Sequence, residues 1–98
     1  MKKFNEFHKI YESNIIDLNS VKNYAINNLG LELEEQDSKK IEFYYSNYSS
    51  NVYIYTNGKV EIYSTWNESF NRKIEKAEDL GDVISDYDTW YEEQEQQD

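Results

Sequence analysis

The sequence predicts an α+β fold made of an N-terminal helical segment, a three-stranded antiparallel β-meander and two C-terminal helices. Three observations support this prediction. Apolar residues recur at helical spacing through residues 4–29 and again through residues 66–91. Between these segments, residues 41–65 alternate with a period of two and are rich in β-branched and aromatic types. Asn57-Gly58 lies within that stretch and is a strong hairpin signal, because both residues tolerate positive φ angles.

The first segment predicts helix because its apolar residues form a single stripe, which consists of Phe4, Phe7, Tyr11, Ile15 and Leu18. Ser20 is then well placed to cap a second helix, and Gly30 is suited to a left-handed C-terminal cap. Residues 3–29 therefore form either one bent helix or two.

The three predicted strands are residues 41–46, 52–56 and 59–65. A two-residue type I′ turn at Asn57-Gly58 sets the register of the last two strands. In that register Tyr55 faces Val60 and Tyr53 faces Ile62 on a surface that is entirely apolar or aromatic, which assigns the surface to the core. Glu61 and Tyr63 then point outward.

Two helices are predicted after the sheet. Thr65-Trp66-Asn67-Glu68 resembles a capping box, and the residues that follow it at helical spacing are Trp66, Phe70, Ile74, Ala77 and Leu80. Gly81 is expected to end this helix and Asp82 to cap the next one. The inward side of the second helix comprises Val83, Ile84, Tyr87, Trp90 and Tyr91.

Negative charge is concentrated in the last quarter of the chain. The formal net charge is −10, and residues 75–98 contain ten acids but a single base, Lys76. Apolar residues at helical spacing run through the same segment, so a folded surface is expected to present the charge. The candidate partner-binding residues are Glu75, Glu78, Asp79, Asp82, Asp86, Asp88, Glu92, Glu93 and Glu95, with Glu61 and Tyr63 as a possible secondary interface.

Catalytic and metal-binding classes are not favoured by the residue pattern. The chain has no cysteine, its single histidine is His8, and its three glycines are isolated, so no thiolate site, catalytic constellation or phosphate loop is evident. Nothing from Asp79 to Glu93 supplies both the sixth-position glycine and the alternating ligands before it that an EF-hand loop requires. We therefore expect no enzyme, no cofactor and no metal, but a binding module of one domain, residues 1–98.

Composition also constrains partners and source. A charge of −10 opposes direct nucleic-acid binding, despite ten tyrosines that could stack on bases. No stretch is long and apolar enough for a membrane span, which predicts a cytoplasmic protein. Asn, Lys, Ile, Tyr and Phe supply 43 of the 98 residues, a bias expected from AT-rich codons and hence from a low-GC bacterium or its phage.

This chain resembles phage-encoded inhibitors of bacterial defence. Like them, it is small, acidic, free of cysteine and rich in Tyr and Asn, and it is predicted to combine helices with a short antiparallel sheet. Such inhibitors include anti-CRISPR and DNA-mimicking anti-restriction proteins. The resemblance covers the character of the whole chain and the acidic segment at residues 86–93. It implies a basic protein partner, such as a Cas9-type CRISPR effector or a related defence nuclease, whose DNA-binding surface the carboxylates would occupy.

Two alternatives remain open from the sequence. An immunity protein that neutralises a cationic nuclease toxin would need the same acidic residues and tyrosines. Alternatively, the carboxylates could form a solvated helix face in a structural or regulatory protein, since such faces are common on small proteins.

Overall fold

The computed structural model describes residues 15–64 and 68–96. They form a five-stranded antiparallel sheet with one helix before it and one after it. The elements in chain order are α1 (Leu18–Leu29), β1 (Glu32–Gln36), β2 (Lys40–Tyr45), β3 (Ser50–Tyr55), β4 (Lys59–Tyr63), β5 (Ser69–Lys73) and α2 (Asp79–Gln96). The α+β class predicted from the sequence is confirmed, but the predicted arrangement of three strands and two C-terminal helices is wrong.

Helix α1 begins and ends at recognisable caps. The side chain of Asp17 accepts a hydrogen bond from the Asn19 backbone N–H at 3.1 Å, so Asp17 is the N-cap, and Ser20 lies inside the helix. Gly30 adopts the expected left-handed conformation, with φ of 70°. The part of the predicted N-terminal stripe before residue 15 lies outside the described residues.

The five strands follow one another as a meander, so each pairs with its neighbours in sequence. Strands β2, β3 and β4 correspond to the three predicted strands. Strand β1 was not predicted, because all five of its residues are exposed and show no apolar alternation. It lies at the sheet edge and pairs with β2 on one side only, with an irregularity between Leu33 and Glu35.

Strand β5 replaces the first predicted C-terminal helix. Phe70 pairs with Ile62 of β4, and both side chains are buried. Spacing of four residues between Phe70 and Ile74 suggested a helix, but the same spacing also places both residues inward along an extended chain. Long-range pairing with β4 decides between these conformations. Most of the predicted capping box, residues 65–67 with Trp66, lies outside the described residues.

The hairpin between β3 and β4 differs by one residue from the predicted register. Ile54 pairs with Val60 and Tyr53 with Glu61, so three residues form the loop instead of two. Gly58 adopts φ of 92°, and its N–H donates to the Tyr55 carbonyl at 2.9 Å. This is the geometry of a three-residue loop with glycine in the left-handed position.

The one-residue difference reverses the faces of β3. Val52 and Ile54 are fully buried, whereas Tyr53 and Tyr55 point to the opposite face and are half-buried. The prediction that these two tyrosines line the core is therefore wrong. The prediction that Glu61 and Tyr63 point outward is confirmed.

Helix α2 is one continuous helix of 18 residues, where two helices meeting at Gly81 and Asp82 were predicted. Gly81 lies within its first turn, where a methyl group at its Cα would come within 2.9 Å of the Tyr24 hydroxyl of α1. The glycine therefore leaves room for the tip of the Tyr24 side chain beside α2 and does not end a helix.

Both helices contribute to a single core on one face of the sheet. Alternate residues of β2, β3 and β4 are buried together with inward residues of the helices. The inward residues of α2 are Leu80, Val83, Ile84, Tyr87 and Tyr91, with Trp90 partly buried beside them. This face is called the inner face below, and the opposite face of the sheet is the outer face.

Candidate functional site

Helix α2 places three predicted site residues on its solvent side. Asp82, Asp86 and Glu93 are all exposed. They are four and seven residues apart, which places them along the same side of a helix and opposite the buried Leu80 and Tyr87. We call Asp82, Asp86 and Glu93 the acidic ridge.

Little positive charge offsets the acidic ridge. Arg72 of β5 approaches Asp86, with 4.0 Å between Nε and Oδ2, and both side chains are largely exposed. An exposed ion pair at this distance contributes little stability, because solvent screens it. Helix α2 itself contains seven carboxylates and neither lysine nor arginine. The ridge therefore presents carboxylates whose charge is available to a partner.

The opposite flank of α2 faces the turn between β2 and β3. Asp88 accepts a hydrogen bond from the Tyr45 hydroxyl at 2.7 Å, and Glu92 accepts one from the Tyr48 hydroxyl at 3.4 Å. Burial raises the pKa of Tyr45 to about 12, and the hydrogen bond to Asp88 adds to the effect. These two carboxylates, predicted to bind a partner, thus also connect α2 to the sheet.

The remaining predicted carboxylates differ in their surroundings. Asp79 accepts hydrogen bonds from the backbone N–H groups of Glu75 and Lys76, at 3.0 and 3.2 Å, and so holds the loop before α2. Glu75 and Glu78 are exposed beside that loop, and Glu95 is exposed near the end of α2. The structure therefore does not bring all nine predicted residues onto one surface.

The outer face of the sheet contains a second group of functional candidates, centred on Glu61. The Glu61 carboxylate accepts a hydrogen bond from the Tyr55 hydroxyl at 3.1 Å and forms an ion pair of 3.1 Å with Lys59. Lys59 lowers the pKa of Glu61, and the Tyr55 hydrogen bond acts in the same direction. Tyr63 packs edge-on against Tyr53, with 5.5 Å between ring centroids.

Tyr53 and Tyr55 are the residues of this face that sequence reasoning missed. Partial burial raises the pKa of both, and the neighbouring carboxylates, Glu42 for Tyr53 and Glu61 for Tyr55, contribute in the same direction. The signal that could have placed them on this face is Gly58, the third residue of the loop at 56–58. A three-residue loop that ends in a left-handed glycine is the next commonest hairpin connection after the two-residue loop.

Other kinds of site find no support in the described part of the chain. No group of three histidine or acidic side chains there is close enough to hold a metal ion. Neither helix within residues 15–64 and 68–96 has the length and apolar character needed to cross a membrane.

Comparison with protein-family models, curated proteins and solved structures finds no match to this chain.

Proposed function

We propose that this protein is an inhibitor that binds the basic, nucleic-acid-binding surface of a defence nuclease, with a Cas9-type CRISPR effector as the favoured target. The acidic ridge of α2 is the contact surface, and the mechanism is charge mimicry of DNA. The single observation that supports this proposal is the concentration of exposed carboxylates on one continuous helix that carries no basic residue.

Counted over all sides of the helix, the linear charge density of α2 is close to that of a nucleic-acid strand. Its 18 residues carry seven carboxylates. At 1.5 Å per residue such a helix is about 27 Å long, which gives one charge per roughly 4 Å of axis. A DNA strand carries one phosphate per roughly 3.4 Å. The ridge itself carries three of these charges, with about 6 and about 10.5 Å of helix rise between them. A channel that binds phosphates with arginine and lysine side chains can bind this sparser row through charge-assisted hydrogen bonds.

The packing of α2 supports this role because the ridge is held in place before binding. Tyr87 is fully buried, and Tyr91 stacks on Tyr48 with 4.2 Å between ring centroids. Asp88 and Glu92 are bonded to the sheet, so the helix has a defined orientation. A preorganised array of charges loses little conformational entropy on binding, which favours affinity.

The test is a cleavage assay with a triple variant of the ridge, Asp82→Asn, Asp86→Asn and Glu93→Gln. The parent is expected to inhibit a defence nuclease competitively with its DNA, less strongly as salt rises, because charges are screened over about 8 to 10 Å at physiological ionic strength. The variant should keep the fold, since exposed substitutions usually change stability by within about 0.5 kcal/mol each, and lose inhibition.

A matched control removes three exposed charges elsewhere, through Glu32→Gln, Glu34→Gln and Glu68→Gln. This control should inhibit like the parent if the ridge is the contact surface. Equal loss in both variants would indicate a general charge effect, and full inhibition by the ridge variant would refute the proposed surface. A cationic nuclease toxin belongs in the target panel, because inhibition of that enzyme alone would make the protein an immunity protein instead.

A further inference from the structure

The outer face of the sheet carries its charges in rows that run across the strands. In the first row, Lys40 pairs with Tyr55 and Lys59 pairs with Lys73. Tyr55 and Lys59 flank the hairpin loop, so these four residues lie at one level of the sheet. We call Lys40, Lys59 and Lys73 the lysine row.

The next row on the same face is acidic. Glu35 pairs with Glu42, Glu42 with Tyr53, and Tyr53 with Glu61. These residues lie two positions along each strand from the lysine row, a separation of roughly 7 Å. We call Glu35, Glu42 and Glu61 the glutamate row.

Both rows place like charges directly opposite each other on adjacent strands. Glu35 faces Glu42, and Lys59 faces Lys73. Such like-charged cross-strand pairs destabilise a sheet on their own. Within the described residues the rows are connected by one ion pair, Lys59 to Glu61. A partner that presents the opposite order of charges would offset both repulsions.

We propose that the partner of the outer face is a second copy of this chain, packed sheet against sheet as a two-fold symmetric dimer. A two-fold axis that runs across the strands between the two rows sets each strand opposite its own copy. It therefore places Lys40 opposite Glu42 and Lys59 opposite Glu61 of the other copy, while Lys73 of β5 meets the uncharged Asn71. An isologous interface requires a surface that is complementary to itself. The adjacent charges of opposite sign on β2 and β4 meet this requirement.

Charge and geometry both favour this occupant. The chain carries a net charge of −10, so two copies repel each other through most surfaces. The two rows contain three lysines against three glutamates and Asp37, which lies opposite Lys40 at the end of the lysine row, so this surface is far less negative than the chain as a whole. Packed sheets lie about 10 Å apart with strand directions within about 30°, which tyrosine, lysine and glutamate side chains can span. The rings of Tyr53 and Tyr63, which contact each other edge-on, supply apolar contact area.

The dimer leaves both acidic ridges accessible, because α2 packs on the inner face. The inference does not depend on the proposed inhibitory function. It concerns oligomeric state and is measured without any target.

The first test is the mass of the unmodified protein by sedimentation equilibrium at about 0.15 M salt, where a Debye length of about 8 Å screens repulsion between distant charges more than contacts between the rows. The monomer mass is 11.8 kDa, and we expect twice that value as the concentration rises from about 1 μM towards about 1 mM, the range in which weak complexes form. Raising the salt to about 1 M, where the Debye length is about 3 Å, should weaken the dimer because the contacts between the rows are then screened as well. A monomer at every concentration would overturn the proposal.

The second test uses two charge-reversed variants that should each be monomeric. One replaces lysines, Lys40→Glu with Lys59→Glu, and the other replaces glutamates, Glu42→Lys with Glu61→Lys. In a dimer of either variant with itself, like charges would lie opposite each other. Each variant should therefore have a dissociation constant about 100-fold higher or more. An equimolar mixture should form a heterodimer, a gain of association that misfolding cannot produce. Failure of folded variants to associate on mixing would contradict the interface.

Two further variants complete the design. Asp82→Lys with Glu93→Lys makes on α2 the same charge change as Glu42→Lys with Glu61→Lys, and it should leave dimerisation intact. Loss of the dimer in this control would show that the outer face is not the interface. If either charge-reversed variant fails to fold by circular dichroism, Lys40→Gln with Lys59→Gln removes the charges without reversing them. That milder variant should weaken the dimer about tenfold, and an unchanged dimer would count against the lysine row.

Discussion

The hydroxyls of Tyr87 and Ser50 lie 2.5 Å apart in the core, where they connect α2 to the central strand β3. Both residues are fully buried. Ser50 also donates to the backbone carbonyl of Tyr48 at 3.1 Å. Buried hydroxyls are costly without partners, so this contact favours one position of α2 along the sheet and thereby sets where the acidic ridge lies.

We expect Tyr87→Phe to lower the free energy of unfolding by about 1 to 2 kcal/mol, because the ring is kept while a buried hydrogen bond is lost. Urea denaturation measures the change. Ser50→Ala is the matched control, and its cost should be smaller in the Tyr87→Phe background than in the parent, because the two groups share one interaction. Additive costs, or a neutral Tyr87→Phe, would show that the contact does not stabilise the fold.

A second prediction concerns stability at alkaline pH. The pKa of Tyr45 is about 12 in the folded protein, against an ordinary value of 10.0. Folding thus favours the protonated phenol, and this contribution is fully present below pH 10 and is lost as the pH rises towards 12. The unfolding free energy should therefore fall across that interval, as followed by urea denaturation at stepped pH values.

Tyr45→Phe should make the fall in unfolding free energy less steep. Part of the fall should remain, because the pKa is also raised for four other tyrosines, Tyr48, Tyr53, Tyr55 and Tyr87. Asp88→Asn should have a smaller effect than Tyr45→Phe, because burial of the phenol is the larger cause of the shift and the Asp88 bond the lesser one. A Tyr45→Phe variant that loses stability as steeply as the parent would contradict this assignment.

A third prediction tests the hairpin loop. Gly58 combines a left-handed φ of 92° with close approach to the Ile74 carbonyl, which a Cβ atom would strike. The Gly58 carbonyl also accepts the Ile74 N–H at 2.8 Å, so the loop is held against the β5–α2 connection. Gly58→Ala should lower the unfolding free energy by about 2 to 4 kcal/mol, as measured by urea denaturation.

Gly30→Ala is the control variant, because it tests the cost of the left-handed conformation without a steric clash. Gly30 is also left-handed, with φ of 70°, but no atom lies within 4 Å of the position that a Cβ would occupy there. Its replacement should cost only about 1 to 2 kcal/mol, the penalty of the left-handed conformation alone. If the two alanine variants lose equal stability, the close approach to Ile74 has no energetic consequence.

Local signals predicted much of this protein correctly. The left-handed cap at Gly30 was predicted because the requirement for positive φ belongs to a single residue. Strands β2, β3 and β4 were predicted because alternation reflects burial on one side of the chain. Inward positions of α2, such as Val83, Ile84 and Tyr87, followed from helical spacing. The concentration of charge after residue 75 is also a property of sequence alone.

The candidate surfaces required tertiary structure. Asp82, Asp86 and Glu93 were placed on one side of a helix by spacing. By contrast, the hydrogen bond between Asp88 and Tyr45 joins residues 43 positions apart, so sequence spacing could not reveal it. Similarly, the one-residue longer hairpin loop moved Tyr53 and Tyr55 to the outer face and aligned the lysine and glutamate rows.

The sequence by itself thus determined the α+β class, the conformation of residues with strong local preferences and the acidic character of the C-terminal helix. Tertiary structure decided the edge strands β1 and β5, the continuity of α2 through Gly81, and the face on which each tyrosine lies. The physical reason is that local rules act on φ, ψ and side-chain period. Pairing of Phe70 with Ile62, or packing of Gly81 against Tyr24, stabilises a conformation through atoms that are distant in the chain.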